Sequence, residues 1–289
     1  MGWCWSFKDI LNTLVNMKFD EIGYWSEIKL DIVREYAQAY STIISARKDP
    51  AFEHLYIDAF AGAGVHFSKS KEEYVPGSPI NALKVIPPFK EYHLIDLDGE
   101  KISFLEEATA NYSNVKLYTG DCNTILLKEI FPRSEYKSYK RALCLLDPYG
   151  LHLNWDVIAK AGAMKSIEIF LNFPVADMNR NILWKNPERV EETQIMRMNS
   201  YWGDDSWRHA AYGTESNLFG FLEKTDNETI AKAFQNRLKK VAGFKFVPNP
   251  IPMRNSNGAI VYYLFFASQN TVGSKIVHEI FNKYRNKGK

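Results

Sequence analysis

The chain lacks most features that announce a function outright. Among 289 residues there are only three cysteines, Cys4, Cys122 and Cys144, an odd number without metal-type spacing. That argues against a disulfide framework or zinc finger and for a reducing, cytoplasmic setting. No apolar run approaches the ~18–20 residues of a membrane span, so no membrane partner is expected. Residues 1–19 are apolar at helical spacing but lack the basic start and small-residue cleavage site of a secretory signal. The six histidines show no H-x-x-x-H or H-E-x-x-H spacing, so no metal is expected. There is no G-x-S-x-G elbow and no Gly-Lys-Ser/Thr of a P-loop, which leaves hydrolase and P-loop chemistry unsupported. Net charge is only +2, from 36 basic and 34 acidic residues, which excludes an overall basic coat. What the chain does have is 46% hydrophobic and 14% aromatic residues, enough to bury one large core or two modest ones.

Short apolar runs alternate with amphipathic stretches. A helix is predicted over residues 26–48, then an apolar run at 54–64 ending in glycines, then a helix with Ser78 as cap and Pro79 at its first position. Strands follow at 91–98, 115–121, 139–150 and 166–174, separated by helices at 99–112, 123–130 and 155–163. This rhythm predicts βαβ units and a mostly parallel sheet whose carboxyl edge carries the ligand site. Two further strands, 243–250 and 258–269, are joined too tightly for a crossover helix and should be antiparallel; a helix at 271–285 ends the pattern. Residues 175–242 break the rhythm and read as a helical insertion, a lid or substrate module. The expected layout is a helical segment at 1–24, a core at 25–174, the insertion, and residues 243–289 completing the core.

The chemistry-bearing residues gather at the predicted strand ends. The turn Asp58-Ala-Phe60-Ala-Gly62-Ala-Gly64 closes the first strand, and its glycines permit close backbone approach to a ligand. A dinucleotide fingerprint would need a third glycine where Phe67 stands. Asp58 is a candidate to orient a cofactor's ammonium group, directly or through water. Asp96 at the end of the second strand is placed to accept ribose hydroxyls, with Asp98 reading as a helix cap. In Gly120-Asp121-Cys122, Asp121 suits either an adenine amine or the N-cap of the next helix. In Asp147-Pro148-Tyr149-Gly150, proline turns the chain out of the strand. The Asp147 carboxylate and the Pro148 carbonyl can then hold a planar amine while Tyr149 stacks on its ring. A plain turn explains the same four residues.

Together, D-x-F-x-G-x-G, the strand-end acids and D-P-x-x resemble a class I S-adenosylmethionine-dependent methyltransferase. More closely, the chain resembles the three-Cys-motif partner (TcmP) family through KLDIVREYAQAY (29–40), YIDAFAGAG (56–64), GSPINALKV (77–85), YHLIDLD (92–98), GDCN (120–123), LLDPYGLHLNWDVI (145–158) and, weakly, YYLFFASQN (262–270). The resemblance implies a Rossmann-like α/β fold with a seven-stranded sheet and an antiparallel last strand. It implies S-adenosylmethionine as cofactor, with Asp58, Phe60, Gly62, Gly64, Asp96, Asp121 and Cys122 on the cofactor side. Asp147, Pro148 and Tyr149 match the amine-methyltransferase motif, although the second proline is Tyr149 here and the terminal aromatic is Gly150. D-P-Y-G also resembles the motif of some tRNA guanine-N2 methyltransferases. The family's name refers to cysteines of a companion phage-type protein, which makes such a protein the second expected partner beside a nucleic-acid substrate. The two functional expectations are therefore methyl transfer to a nitrogen, such as a nucleobase amine of RNA or DNA, and a non-catalytic scaffold docking that companion.

Several residues stand outside this scheme. His66 and His152 read as loop residues able to line the cleft, and Lys29 as a residue of the first helix that could reach the cleft but is more readily placed on the surface. Trp184, Trp202, Trp207 and Tyr201, interleaved with Arg180, Arg189, Arg197 and Arg208, suit either base stacking or an insertion core. Residues 1–174 carry 19 basic and 23 acidic side chains and residues 175–289 carry 17 and 11, so the small total is a cancellation.

Overall fold

The computed structural model describes residues 19–216 and 222–285. Most of the expected N-terminal helical segment, residues 1–18, lies outside the described residues. The main sheet has seven strands: β1 (Glu53–Asp58), β2 (Glu91–Asp96), β3 (Val115–Thr119), β4 (Lys140–Leu146), β5 (Ile167–Phe173), β6 (Ile251–Arg254) and β7 (Ile260–Ala267). Its order is β6-β7-β5-β4-β1-β2-β3. The strands from β3 to β5 across this order pair in parallel, β7 is antiparallel to β5, and β6 is antiparallel to β7. This is the Rossmann-like arrangement expected, with its reversal of winding between β1 and β4.

Strands buried on both faces read as unbroken apolar runs, because successive side chains serve two cores. In β4, Ala142, Cys144 and Leu146 join one core while Leu143 and Leu145 join the other. The longer helices are α1 (Tyr24–Ser45), α2 (Ser78–Leu83), α3 (Gly99–Thr109), α4 (Trp155–Met164), α5 (Val175–Asn181), α6 (Glu192–Trp202), α7 (Asn227–Lys240) and α8 (Thr271–Arg285), with short ones at Cys122–Ile125 and Trp207–Ala211. The core of β4's even-numbered residues packs under α4 to α7, and the opposite core under α1, α2 and α8.

Several expectations need correction. Residues 65–76, which look like a loop, form a β-hairpin of Val65–Ser68 and Glu73–Pro76, and Glu21–Ile22 adds alongside it in parallel. Of the expected strand at 243–250, only Phe246 makes a bridge, to Ser268; the strand itself is β6. The insertion carries a two-stranded ribbon, Tyr212–Ser216 with Leu222–Lys224, besides its helices. Of the two readings open for its aromatics, their packing supports the insertion core. Tyr201, Trp202 and Trp207 are buried, and Phe234 lies 4.6 Å from Phe173 and 5.7 Å from Tyr201, ring centre to ring centre. Trp184 alone of the four is exposed.

One buried acid sets a pH dependence. Glu168 in β5 accepts hydrogen bonds from Tyr36 of α1 and from Ser268, the latter at 2.9 Å. Gly273 of α8 passes directly over this group; a Cβ there would lie 2.5 Å from the Tyr36 hydroxyl. Burial pushes the Glu168 carboxyl up to about 7 despite those hydrogen bonds. The folded protein therefore holds this proton more tightly than the unfolded chain. That contribution is complete below the ordinary glutamate range and is lost as pH rises towards 7. Glu168→Gln is expected to flatten the fall in stability between pH 5 and 7 and to leave the variant up to ~3 kcal/mol more stable than the parent at pH 8. Urea melts at four pH values check this, and an unchanged slope would refute it.

Candidate functional site

A cleft of about 720 Å³ opens at the carboxyl edge of the sheet, over the point where the winding reverses. Its size lies within the ~300–1,000 Å³ of small-molecule sites. The glycine turn forms its floor. Ala59 and Ala61 extend the ladder past β1, donating to Leu145 O and Ile95 O at 3.0 and 2.8 Å. The chain then turns through Gly62 and Gly64, at φ +60° and +74°. A Cβ at Gly64 would meet Leu105 Cδ1 at 2.8 Å, whereas one at Gly62 would meet nothing within 4 Å. Gly64 thus serves packing and Gly62 keeps the floor clear. The close approach that a third fingerprint glycine would give comes instead from Gly77, after the hairpin. Its N–H donates to Gly64 O at 2.7 Å, and a Cβ there would sit 2.9 Å from that carbonyl oxygen.

The acids divide by role. Asp96 lines the cleft, and its two oxygens accept from the Gly62 and Asp98 N–H groups at 2.8 and 2.9 Å. A carboxylate has about four lone-pair sites, so this brace leaves capacity for ribose hydroxyls. Asp98 caps α3, accepting from Glu100 N at 2.9 Å. Asp58 is wholly buried and does not line the cleft, contrary to its expected place beside a ligand ammonium. It accepts from Phe60 N at 3.3 Å and from Ser78, and burial pushes its carboxyl up to about 7. Gly77, not Ser78, occupies the cap position of α2, which frees the Ser78 hydroxyl for Asp58. Ser78 itself lines the cleft, so it stands where Asp58 was expected. Phe60 also lines it.

Asp121 faces the cleft but its side chain is engaged as a helix cap. Its oxygens accept from Asn123 N at 3.3 Å and Thr124 N at 3.0 Å and from both side chains. Burial alone would raise its pKa; the Thr124 and Asn123 hydrogen bonds outweigh it and hold the carboxyl below the usual range. Cys122 lines the cleft with its thiol pushed up to about 12 by burial, so it is no nucleophile.

At the other end, Asp147 is ion-paired with Lys29 of α1. Lys29 is not a surface residue. It lines the cleft, nearly buried, 5.5 Å from the Tyr262 ring centre. Burial would lower its pKa, but the Asp147 carboxylate outweighs that and makes the ammonium hold its proton more tightly than a free lysine. Pro148 O receives Asn172 Nδ2 at 3.4 Å. Tyr149 projects at the mouth, 74% exposed, with its ring free to stack. Gly150 has φ +64°, and a Cβ there would lie 2.9 Å from Asp177 Oδ2, so the aromatic usual at this place of the motif has no room. His66 and His152 both line the cleft; burial pushes His66 down to about 4, so it is neutral. Arg180 and Asp177 bring the insertion to the same wall. Among the described residues no cluster of three or more His, Cys, Asp or Glu could hold a metal, and no helix is long and apolar enough to cross a membrane.

Sequence reasoning assigned no site role to Ser78 or Asn172 and favoured the surface for Lys29. For Lys29 the signal was there: Val33, Tyr36 and Tyr40, at i+4, i+7 and i+11, are all buried. A lysine on the inward stripe of a helix is not a surface lysine.

No family model matches this sequence, and no curated protein matches it either. Solved structures do. Protein LPL1258 of Legionella pneumophila, of family DUF519, is 12% identical with a TM-score of 0.52, over 90% of this chain and 93% of that one. The putative methyltransferase yhhF from Escherichia coli is 16% identical over 50% of this chain and 70% of its own, with a TM-score of 0.33. The N-terminal domain of EvdMO1, solved with SAH bound, is 12% identical over 82% of this chain and 80% of its own, with a TM-score of 0.40. The first likeness shows a shared fold; the other two are too loose to carry an argument.

Proposed function

We propose that the cleft binds S-adenosylmethionine and that the protein transfers its methyl group to a nitrogen, a nucleobase amine of RNA or DNA. The observation that carries this reading is the pairing, in one cleft, of a glycine floor braced by Asp96 with two acceptors, Asp147 and the Pro148 carbonyl, beneath an exposed Tyr149. The fit is good on three counts: volume, the open space over Gly62, and the spare lone pairs of Asp96. When bound, the cofactor supplies a methyl on a sulfonium, whose leaving group needs no further activation.

The protein's part is therefore alignment. Asp96 receives ribose hydroxyls. Cys122 would flank the adenine end, with Asp121 holding the short helix at Cys122–Ile125 in place there rather than offering its own oxygens. Tyr149 would stack on the acceptor ring, and Asp147 and Pro148 O would accept hydrogen bonds from the two amine hydrogens, aiming the nitrogen's lone pair towards the methyl. The one proton the nitrogen sheds on gaining the methyl would pass to Asp147 or to water. Lys29 balances the carboxylate's charge within the half-buried site.

A second reading, a non-catalytic scaffold docking a three-Cys-motif companion protein, draws on the same ion pair: an Asp147 already held by Lys29 is a finished structural contact. Calorimetry with S-adenosylmethionine, S-adenosylhomocysteine and ATP, followed by a methylation screen over RNA and DNA, separates the readings. Micromolar heats for the first two ligands and none for ATP are expected. Absence of heat for both sulfur ligands removes the proposal; heat without transfer to any nucleic acid favours the scaffold.

A further inference from the structure

The opposite edge of the sheet carries a feature that the cleft does not use. At the amino ends of β1 and β4, Phe52 and Tyr139 meet edge-on with ring centres 5.9 Å apart. The Arg141 guanidinium lies 4.6 Å from the Phe52 ring centre and 3.9 Å from that of Tyr136, and Arg47 lies 5.5 Å from Phe52. Among the described residues neither arginine is within ion-pair distance of a carboxylate. Arg141 donates to Tyr136 O and Lys140 O at 3.3 and 2.7 Å, which uses only part of its fork. Two like charges on one ring with no carboxylate in ion-pair distance favour an anion there.

The rings are also presented rather than tucked away. Tyr136 and Tyr139 are 55% and 51% exposed. Tyr139 holds φ +56°, a left-handed conformation that glycine or asparagine would take at less cost, so the turn alone does not account for a tyrosine there. Lys165, exposed at the amino end of the neighbouring β5, has φ +61°. Residues 47–53 and 133–141 hold six basic and three acidic side chains. One of those acids, Glu53, is paired with Lys140 at 3.4 Å. This local excess sits within the half of the chain that is acidic as a whole.

We propose that this edge is a second contact surface for single-stranded nucleic acid. Arg47, Arg141 and Lys137 would meet the phosphates, while Tyr136 and Tyr139 stack on bases. Arginines without a carboxylate partner, interleaved with exposed aromatics, are the combination that holds a single strand without reading its sequence. The surface lies on the far side of the sheet from the cleft, so it would grip a long substrate away from the reacting base. The proposal concerns binding only and stands whether or not the cleft transfers methyl groups.

Fluorescence anisotropy tests it with labelled 15-nucleotide oligo(U) and oligo(dT), without cofactor, from 50 to 200 mM salt. The full chain is expected to bind both oligonucleotides, with affinity falling steeply with salt. The exposed pair Arg47→Glu with Lys137→Glu should weaken binding at least about tenfold and shrink the salt slope by roughly 0.7 per lost phosphate contact. Tyr136→Ala with Tyr139→Ala should weaken it at least about fivefold at every salt concentration. Unchanged affinity in the charge variant would place the strand elsewhere and overturn the proposal. Loss in the charge variant with none in the tyrosine variant would reduce the surface to general polyanion attraction, which also overturns it. So would binding to phosphatidylserine vesicles with none to either oligonucleotide.

Discussion

Asp147→Asn is expected to transfer methyl groups at less than about one-hundredth of the parent rate while binding S-adenosylhomocysteine within about twofold of it. The substitution keeps the shape at the end of β4 but removes the charge that Lys29 faces and turns one acceptor oxygen into a donor. With the new amide's oxygen held by Lys29, the amine would meet the Pro148 carbonyl and one competing N–H. Asp96 and the glycine floor are untouched, so cofactor affinity should hold. Asp147→Ala should lose transfer as fully and also lose stability, because Lys29 is left almost buried without its partner. Lys29→Met supplies the cross-check. If the pair acts as a unit, Lys29→Met with Asp147→Asn will cost little more than either alone. Single-turnover transfer and calorimetry read the two quantities separately. Loss of cofactor binding in Asp147→Asn would sink this division of labour.

Gly162→Ala has the other large expected effect, and its sign separates two arguments. On intrinsic propensity alone, alanine for glycine inside α4 should stabilise by about 1 kcal/mol. Yet a Cβ at 162 would sit 2.0 Å from the carbonyl oxygen of Ala242, where the chain leaves α7. That oxygen belongs to a backbone fixed from several sides. Gln269 donates to Gly162 O at 3.1 Å and to Gly243 O at 2.7 Å, clamping helix and loop together. Relief would require α4 to lift from the insertion. The expected loss is about 3 kcal/mol, at the upper end of overpacking costs. At the scale of a chain this long that is a fall in Tm of roughly 5 °C. A thermal melt that rises instead would show that the contact between α4 and the insertion is soft.

The sheet was legible in the sequence because its strands are nearly all central. Runs such as Ala142–Leu146 must satisfy two cores at once, and such runs end abruptly at an acid, glycine or proline. What escaped notice was peripheral. The hairpin at 65–76 has short strands with charges at their ends, Lys69 and Glu73 among them, so no alternation of two persists long enough to register. β6 contains Pro252, which a central strand would not tolerate but an edge strand does. The insertion's aromatics mix with arginines whether they pack or bind. Their burial depends on Phe173 and Phe234, which lie 61 positions apart. At the site, spacing located the acids but not their employment. Whether Asp121 caps or binds, and whether Asp58 faces the cleft or the core, turns on neighbours such as Thr124 and Ser78 that carry no motif.

The position of β7 has a consequence for how the chain is made. As it emerges from the ribosome, residues up to 250 can assemble β1 to β5, leaving β5 with one side unpaired. Its partner there is β7, and β6 in turn has β7 as its neighbour. The edge left waiting is Ile167–Phe173, largely apolar, through the synthesis of the whole insertion. Such an edge is the kind that recruits other chains. Until residue 267 is available, the nascent protein therefore carries an aggregation-prone seam, and slowing translation after β5 should lower soluble yield more than slowing it before.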